Sequence, residues 1–350
     1  MKYLAMALVC IVLGIVVSIN LRMDRDFRMV SAQEAREQNP QPGPLRMVDS
    51  RAGMLGQSEG RSYPAYLIDE IVLRLTTSAE EMIQQKRTKN SEELRKNLDR
   101  TGHTVKLAPA SSTELPTDEL YRQASQCVYL VAGLTRPKDE MSDWKTAFST
   151  AFALHSDGIL STSAHVFDHN DHDDVVVVMD IRGNVYPVTE ILAMNKLADT
   201  ALFRIEAKGL KTLALGKDLA PGSPVRVIGH PGDSFFFFSA GHLANYERDD
   251  EGAFWLNITA DFGQGSSGGP VMDVAGNVVG QVSRTYTLYA SGDTSNRPRR
   301  IRSQNPPDAN VADAAQVEAT EVVVEVKKKS DPQMVFKACT PVSAIRALVK

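Results

Sequence analysis

From Cys127 onward the chain is cut into short β-rich runs separated by turns, and this segmentation limits the fold more than any other feature. The runs are Val128 to Ala132, Thr150 to Leu154, Val175 to Asp180, Ala201 to Ile205, Val225 to Ile228, Trp255 to Thr259 and Val278 to Ser283. Many short strands at close intervals, with few long helical patterns between them, argue for an all-β sandwich or barrel. At 350 residues the chain exceeds the ~100 to 200 of a common domain, so one domain with appendages is expected. Hydrophobic residues at 43% and charged residues at 23% support a real core and exclude a wholly disordered, collagen-like or disulfide-framework protein. The net charge of −4, from 39 basic and 43 acidic residues, gives no basic field of the kind that dominates nucleic-acid affinity, so no nucleic-acid partner is expected. The three cysteines, Cys10, Cys127 and Cys339, have neither CxxC spacing nor a zinc-finger histidine set, and two buried thiols are the expected state of the latter pair.

The appendages are legible at both ends of the β region. Residues 1–21 read as a transmembrane anchor or signal segment: Tyr3 to Leu21 is uncharged, with Lys2 before it and Arg22, Arg25 and Arg28 after it. At ~1.5 Å per helical residue this run matches a hydrocarbon core of ~30 Å. A cleaved signal needs a small-x-small site close behind, and the nearest, Val30-Ser31-Ala32, sits beyond the arginines, which favours an uncleaved anchor with the bulk of the chain outside the cytoplasm. Residues 22–116 read as linker and helical spacer, with the cluster Pro40-Gln41-Pro42-Gly43-Pro44, a helical repeat at Ile68, Ile71, Val72 and Leu75, and a capping box at Ser78-x-x-Glu81 opening a helix to about Arg100. Thr117 is expected to cap a short helix through Arg122, where the main domain, 117–350, begins. Within it, 291–331 reads as a long surface insertion carrying Arg297, Arg299, Arg300, Arg302 and Pro306-Pro307. A capped helix follows Thr340-Pro341 to the end.

Chemistry concentrates at Gly265-Ser266-Ser267-Gly268-Gly269-Pro270, a serine set among glycines between two β-like runs. Glycine lets the backbone turn sharply there and aim amide hydrogens at a reacting carbonyl. The same Gly-x-Ser-x-Gly describes the nucleophile elbow of α/β-hydrolases, which places its histidine after the serine. None of the histidines, His103, His155, His165, His169, His172, His230 and His242, follows Ser267, so that reading fails and a base must lie upstream. His165 in Ser161-Thr162-Ser163-Ala164-His165-Val166 follows a short apolar strand and small residues that would hold its ring. Asp199 in Leu197-Ala198-Asp199-Thr200-Ala201-Leu202 is a carboxylate at the head of an apolar strand, where packing gives it no reason to be.

Together these three segments resemble the chymotrypsin-type serine peptidases, and specifically the HtrA (Deg) branch. Thr162 to Val166 is similar to that family's Thr-x-Ala-His-Val, Asp199 to Leu202 to its Asp-(Leu/Ile)-Ala-(Val/Leu)-Leu, and Gly265 to Pro270 to its Gly-Asn-Ser-Gly-Gly-Pro. Gly229-His230-Pro231-Gly232 with Ser239-Ala240-Gly241 resembles its Gly-Asn-Pro turn and following strand, and Phe336 to Pro341 its closing strand. The resemblance covers roughly 117–350. It implies two six-stranded-type antiparallel β-barrels, the first carrying His165 and Asp199 and the second Ser267, with a C-terminal helix. The chain departs from the pattern at Ser149-Thr150-Ala151-Phe152, where the family has Gly-Ser-Gly, and at Ser266, where it has Asn or Asp. A PDZ domain is not expected.

The resemblance implies a serine endopeptidase of the cell envelope, with a role in protein quality control, a protein or peptide substrate, no cofactor and, as in relatives, a homotrimer. His165 acts as base, Asp199 orients it, Ser267 attacks, and the backbone amides of Gly265 and Ser267 form the oxyanion hole. Substrate is expected to pair on the strand holding Val282, Ser283 and Arg284. In trypsin-like enzymes the residue six before the nucleophile floors the primary pocket. Here that is Asp261, which favours a basic side chain if buried; a small shift turning it to solvent, or neutralisation by Arg284, leaves an aliphatic preference. Two rivals stand beside this reading. One is a metal site at His165, His169 and His172, among Asp168, Asp171, Asp173 and Asp174. The other is a latent or non-proteolytic binding module that keeps the fold.

Overall fold

The structure, a computed structural model, describes residues 66–136, 143–168, 173–289, 294–295 and 332–350. The leader and the Pro/Gly linker lie outside the described residues, as do His169 and His172 and the arginines from Arg297 to Arg302. The larger compact unit comprises Leu75–Arg136 and Lys145–Lys350; of the smaller, Met1–Arg74 with Pro137–Trp144, the described residues are 66–74 and 143–144.

Six strands close the first barrel: β1 (Val128–Thr135), β2 (Lys145–His155), β3 (Ile159–Thr162), β4 (Val175–Met179), β5 (Val185–Asn195) and β6 (Thr200–Ile205), in the order β1-β2-β3-β6-β5-β4, with β4 returning to β1. The second is a sheet ordered β10-β7-β8-β9-β13-β11-β12. It is built from β7 (Pro224–Gly229), β8 (Phe237–Arg248), β9 (Phe254–Ile258), β10 (Pro270–Met272), β11 (Val278–Tyr289), β12 (Thr294–Ser295) and β13 (Pro332–Pro341). An extra β10–β11 pairing closes six of these strands into a ring and leaves β12 outside it. All described pairings between these strands are antiparallel, so the two barrels expected from the resemblance are present.

Each barrel has its own apolar filling. Val131, Leu160, Val178, Ile191 and Phe203 meet inside the first, and Val225, Leu243, Leu256, Val271 and Val282 inside the second. A third cluster joins them: Val128, Phe152, Leu154 and Leu202 from the first barrel pack with Ile228, Met272 and Val278 from the second. Fully burying one such side chain is worth ~1.5 to 3 kcal/mol. Exposed pairs such as Arg87–Glu206, at 3.0 Å, contribute ~0 to 1 kcal/mol each. The apolar clusters therefore hold the barrels together.

The segments before β1 differ from the sequence expectation. Helix α1 (Ile68–Gln84) runs straight through Ser78, because Leu75, Ala79 and Met82 are buried on one face and a break at Ser78 would split that stripe. The capping box forms instead at Asn90 and Glu93, opening the short α2 (Ser91–Arg95). Residues 103–116, read as spacer, are tied to the barrels: the His103 amide donates to Leu348 O at 2.8 Å, the Lys350 amide to His103 O at 2.9 Å, and the Leu115 amide to Val274 O at 2.9 Å. Thr117 is the first residue of α3 (Thr117–Ala124), not its cap; Pro116 holds the cap position without a side-chain bond. Pro341 does the same before α5 (Val342–Ala347). Cys127 and Cys339 are free and buried, and burial pushes the Cys127 thiol up to about 12.

Candidate active site

The first barrel's register brings the base and acid segments together. β3 pairs with β6 so that Thr162 lies opposite Ala201, which sets the residues just after β3 beside those just before β6. His165 opens a single helical turn, α4 (His165–Asp168), and Asp199 ends the β5–β6 turn with φ +51. That left-handed conformation is several-fold enriched in Asp and Asn. The His165 amide donates to Asp199 Oδ1 at 3.0 Å, and the ring Nδ1 lies 3.0 Å from Oδ1 and 2.9 Å from Oδ2. A carboxylate only accepts, so Nδ1 carries the proton and Nε2 is left basic. Burial alone would raise the Asp199 carboxyl; the hydrogen bond and charge of the His165 ring, the Ser283 hydroxyl and the His165 amide outweigh it and hold the group below its ordinary 3.8.

The second barrel supplies the serine. Gly265 and Gly268 on either side of Ser267 have φ +94 and +88, a region essentially reserved for glycine. The Ser266 amide donates to Gly263 O at 3.0 Å, Gly268 to Val282 O at 2.8 Å and Gly269 to Ser266 O at 2.9 Å. Among the described residues the amides of Gly265 and Ser267 donate to nothing. The nucleophile loop thus consumes its neighbouring amides and leaves open the two that the resemblance assigns to an oxyanion. The Ser267 hydroxyl donates to Ser283 O at 3.3 Å and makes no hydrogen bond to His165.

β11 connects the two halves. Ser283 Oγ donates to Asp199 Oδ2, while its own carbonyl accepts from Ser267. One residue therefore touches both the acid and the serine. Ser163 Oγ donates to Val282 O at 2.9 Å, and Gln281 accepts from Ser161 Oγ at 2.6 Å while its amide reaches Asp199 O at 3.4 Å. Sequence reading placed Val282 and Ser283 against substrate and missed this second role. The unbroken burial from Val278 to Ser283 along β11 carries no signal for a contact made across two barrels. β10 takes the β11 edge opposite β13 from Val278 to Gln281 and β12 takes it at Thr287 and Leu288; among the described residues no strand occupies it between.

Asp261 is not a pocket floor. Its flanking residues Ala260 and Phe262 are buried, whereas the Asp261 side chain is 85% exposed and 3.5 Å from Lys337 Nζ. Arg284 does not neutralise it: the guanidinium stacks 3.7 Å over the Trp255 ring and approaches Asp249 at 3.5 Å. A cleft of about 310 Å³ is lined by His165, Asp199, Asp249, Trp255, Ser283 and Arg284. Asp261→Ala is therefore expected to leave the cleavage profile across a peptide library unchanged; loss of cleavage after Lys or Arg in that variant would return Asp261 to the pocket. No group of three or more His, Cys, Asp or Glu among the described residues could hold a metal ion.

Comparison with known proteins relates part of the chain to trypsin-like peptidases. Residues 149–280 match the family described as Trypsin-like peptidase domain. A "Probable periplasmic serine endoprotease DegP-like" from Ectopseudomonas mendocina (strain ymp) is 29% identical over 146 residues, covering 40% of this chain and 30% of that protein. Serine protease HTRA1 of Xenopus tropicalis is 33% identical over 144 residues, 38% of this chain and 30% of that one. Serine protease HTRA2, mitochondrial, of Drosophila erecta is 27% identical over 179 residues, 48% and 42% respectively. The chain thus spans about a third of the length of the first two relatives. A solved structure, "HtrA-type protease AlgWS227A with decapeptide", aligns with a TM-score of 0.42 and 18% identity over 52% of this chain and 61% of that chain. The chain resembles the chymotrypsin-type serine peptidases of the HtrA-like branch.

Proposed function

We propose that this chain, with its trypsin-like peptidase domain and two antiparallel barrels, is a serine endopeptidase acting through His165, Asp199 and Ser267. Serine hydroxyls are weak nucleophiles at neutral pH, so attack requires a base. Nε2 of His165 takes the Ser267 proton as Oγ adds to the acyl carbon, and returns it to the leaving amine. Asp199, ionised at neutral pH, keeps Nδ1 protonated and offsets the charge of the imidazolium. The oxyanion forms against the Gly265 and Ser267 amides, an arrangement in which one donor is worth ~10² to 10³ in turnover. An extended substrate pairing on the open edge of β11 would compete for Ser283 O and free the Ser267 hydroxyl to turn to His165.

The observation that carries this reading is Ser283: one residue in contact with both the Asp199 carboxylate and the Ser267 hydroxyl brings segments far apart in sequence side by side. The names of the DegP-like relatives support an extracytoplasmic site of action. The uncharged run from Tyr3 to Leu21 supports a tether to the membrane, with proteins of the envelope as substrates. The test is covalent labelling of the full chain by a fluorophosphonate, with Ser267→Ala as control. Stoichiometric labelling lost in the control is expected; no labelling of the unmodified chain, or labelling at another residue, would overturn the reading.

A further inference from the structure

We propose that Thr150 and His230, which the chemistry above does not use, are positioning residues that lock the Gly265 peptide in its oxyanion-binding orientation. The inference rests on the serine endopeptidase reading and concerns how its oxyanion turn is held.

Both side chains are fully buried, and together they form a directed chain of hydrogen bonds. Thr150 Oγ1 lies 2.8 Å from Gly265 O and 2.9 Å from His230 Nδ1. A carbonyl can only accept, and a hydroxyl has one proton. Thr150 therefore donates to Gly265 O, and the second bond must run from His230 Nδ1–H to the hydroxyl. This fixes the tautomer and leaves Nε2 bare. Among the described residues Nε2 has no hydrogen-bond partner, and burial lowers the imidazole to about 3, so the ring stays neutral through the working pH range. A buried nitrogen without a partner is a net cost to the fold. Packing alone would be served better by an apolar ring, since His230 sits edge-on to Phe236 at 4.7 Å between centroids.

The turn is held at both carbonyls that flank Gly265. Gly232, two residues beyond His230, donates its amide to Gln264 O at 2.9 Å. In a planar trans peptide C=O and N–H point in opposite directions, so this bond aims the Gly265 N–H away from the 230–232 loop. Thr150 holds the next carbonyl, Gly265 O, and its own amide donates to Ser267 O at 2.8 Å. Rotation of the Gln264–Gly265 peptide would replace the donor by a carbonyl and abolish the site. With Gly265 in a region where glycine alone moves freely, that rotation is resisted directly by the Gly232 bond to Gln264 O, while Thr150 fixes the adjoining Gly265–Ser266 peptide against which it would turn. Thr150 belongs to the first barrel and Gly265 to the second, so the same contact makes the oxyanion turn depend on how the barrels are docked.

The test measures the rate of fluorophosphonate labelling of the full chain and of T150V, T150S, H230L and H230N, with circular dichroism to confirm folding. T150V keeps the branched shape but loses the hydroxyl; H230L loses the donor, whereas Asn places an N–H near the position of Nδ1. T150V and H230L are expected to label about 10- to 100-fold more slowly than the unmodified chain, as for loss of part of an oxyanion site. T150S and H230N are expected to stay within about threefold of it, a rescue that a purely space-filling role would not produce. Labelling of folded T150V at the unmodified rate would overturn the inference while leaving the peptidase reading intact. Failure of both T150V and H230L to fold would assign the pair to the core and overturn it equally, and an unmodified chain that does not label takes down both.

Discussion

Ser267→Ala, His165→Ala and Asp199→Asn are each expected to cut peptide hydrolysis by ~10⁴-fold or more, with the folded domain retained. The argument is one of mutual dependence. Ser267 Oγ has no route to an alkoxide without a base, and the base is useful only while Nδ1 is protonated and turned towards Asp199, 2.9 Å away. Asn at 199 keeps the size but offers an amide that can donate to Nδ1, which reverses the tautomer and turns Nε2 from acceptor into donor. Groups that act as one unit are non-additive, so His165→Ala combined with Ser267→Ala should cost little more than the worse single change. The check is steady-state hydrolysis of a protein substrate by the three single variants and that double variant. Losses that multiply across the double variant would mean that the residues act separately.

Gly268→Ala is expected to lower stability by ~3 kcal/mol or more, the largest loss from one methyl group in the domain. A Cβ there would lie 2.1 Å from Thr150 O, 2.2 Å from Thr162 Oγ1 and 2.9 Å from Thr162 Cα. Two of those atoms are backbone, on β2 and β3, so a rotamer change cannot relieve the clash. To this is added the cost of an alanine at φ +88, of order 1 to 3 kcal/mol. Gly222→Ala separates the two contributions, since Gly222 has φ +89 but nothing within 4 Å of the added atom. Denaturant unfolding should place Gly268→Ala below Gly222→Ala by the overpacking term, ~1 to 3 kcal/mol. Equal losses would show that the barrels part easily at this contact.

The proposed triad shows what kind of signal a sequence carries for chemistry. His165, Asp199 and Ser267 stand out because each is a polar residue in an apolar or glycine-rich setting that packing does not require, and because their order eliminates the α/β-hydrolase alternative. The strands that were found, such as Val175–Met179 with five buried residues, are continuous apolar runs. β5 was missed, and β8 was met only through the resemblance at Ser239 to Gly241, for the opposite reason. β8 runs from Phe237 to Arg248 with only Ser239 and Leu243 buried, so it shows little of the alternation by which a half-buried strand is recognised. The Ser78 capping signal was locally valid and lost to the buried stripe of α1. The motif met its rival only in three dimensions.

What the sequence by itself determined is the fold class, and it marked the residues proposed for chemistry, because both are written in local patterns: short apolar runs, glycines at the turns around Ser267, and side chains misplaced for packing. Only the tertiary structure decided how those residues are held. Ser283 joins Asp199 to Ser267, Asp261 faces solvent beside Lys337, and Thr150 reaches across from one barrel to the Gly265 carbonyl of the other. Each of these depends on strand register and on the docking of two barrels. Shifting a strand by one residue exchanges its inward and outward faces, and no local pattern fixes which atom of one barrel will meet a given carbonyl of the other.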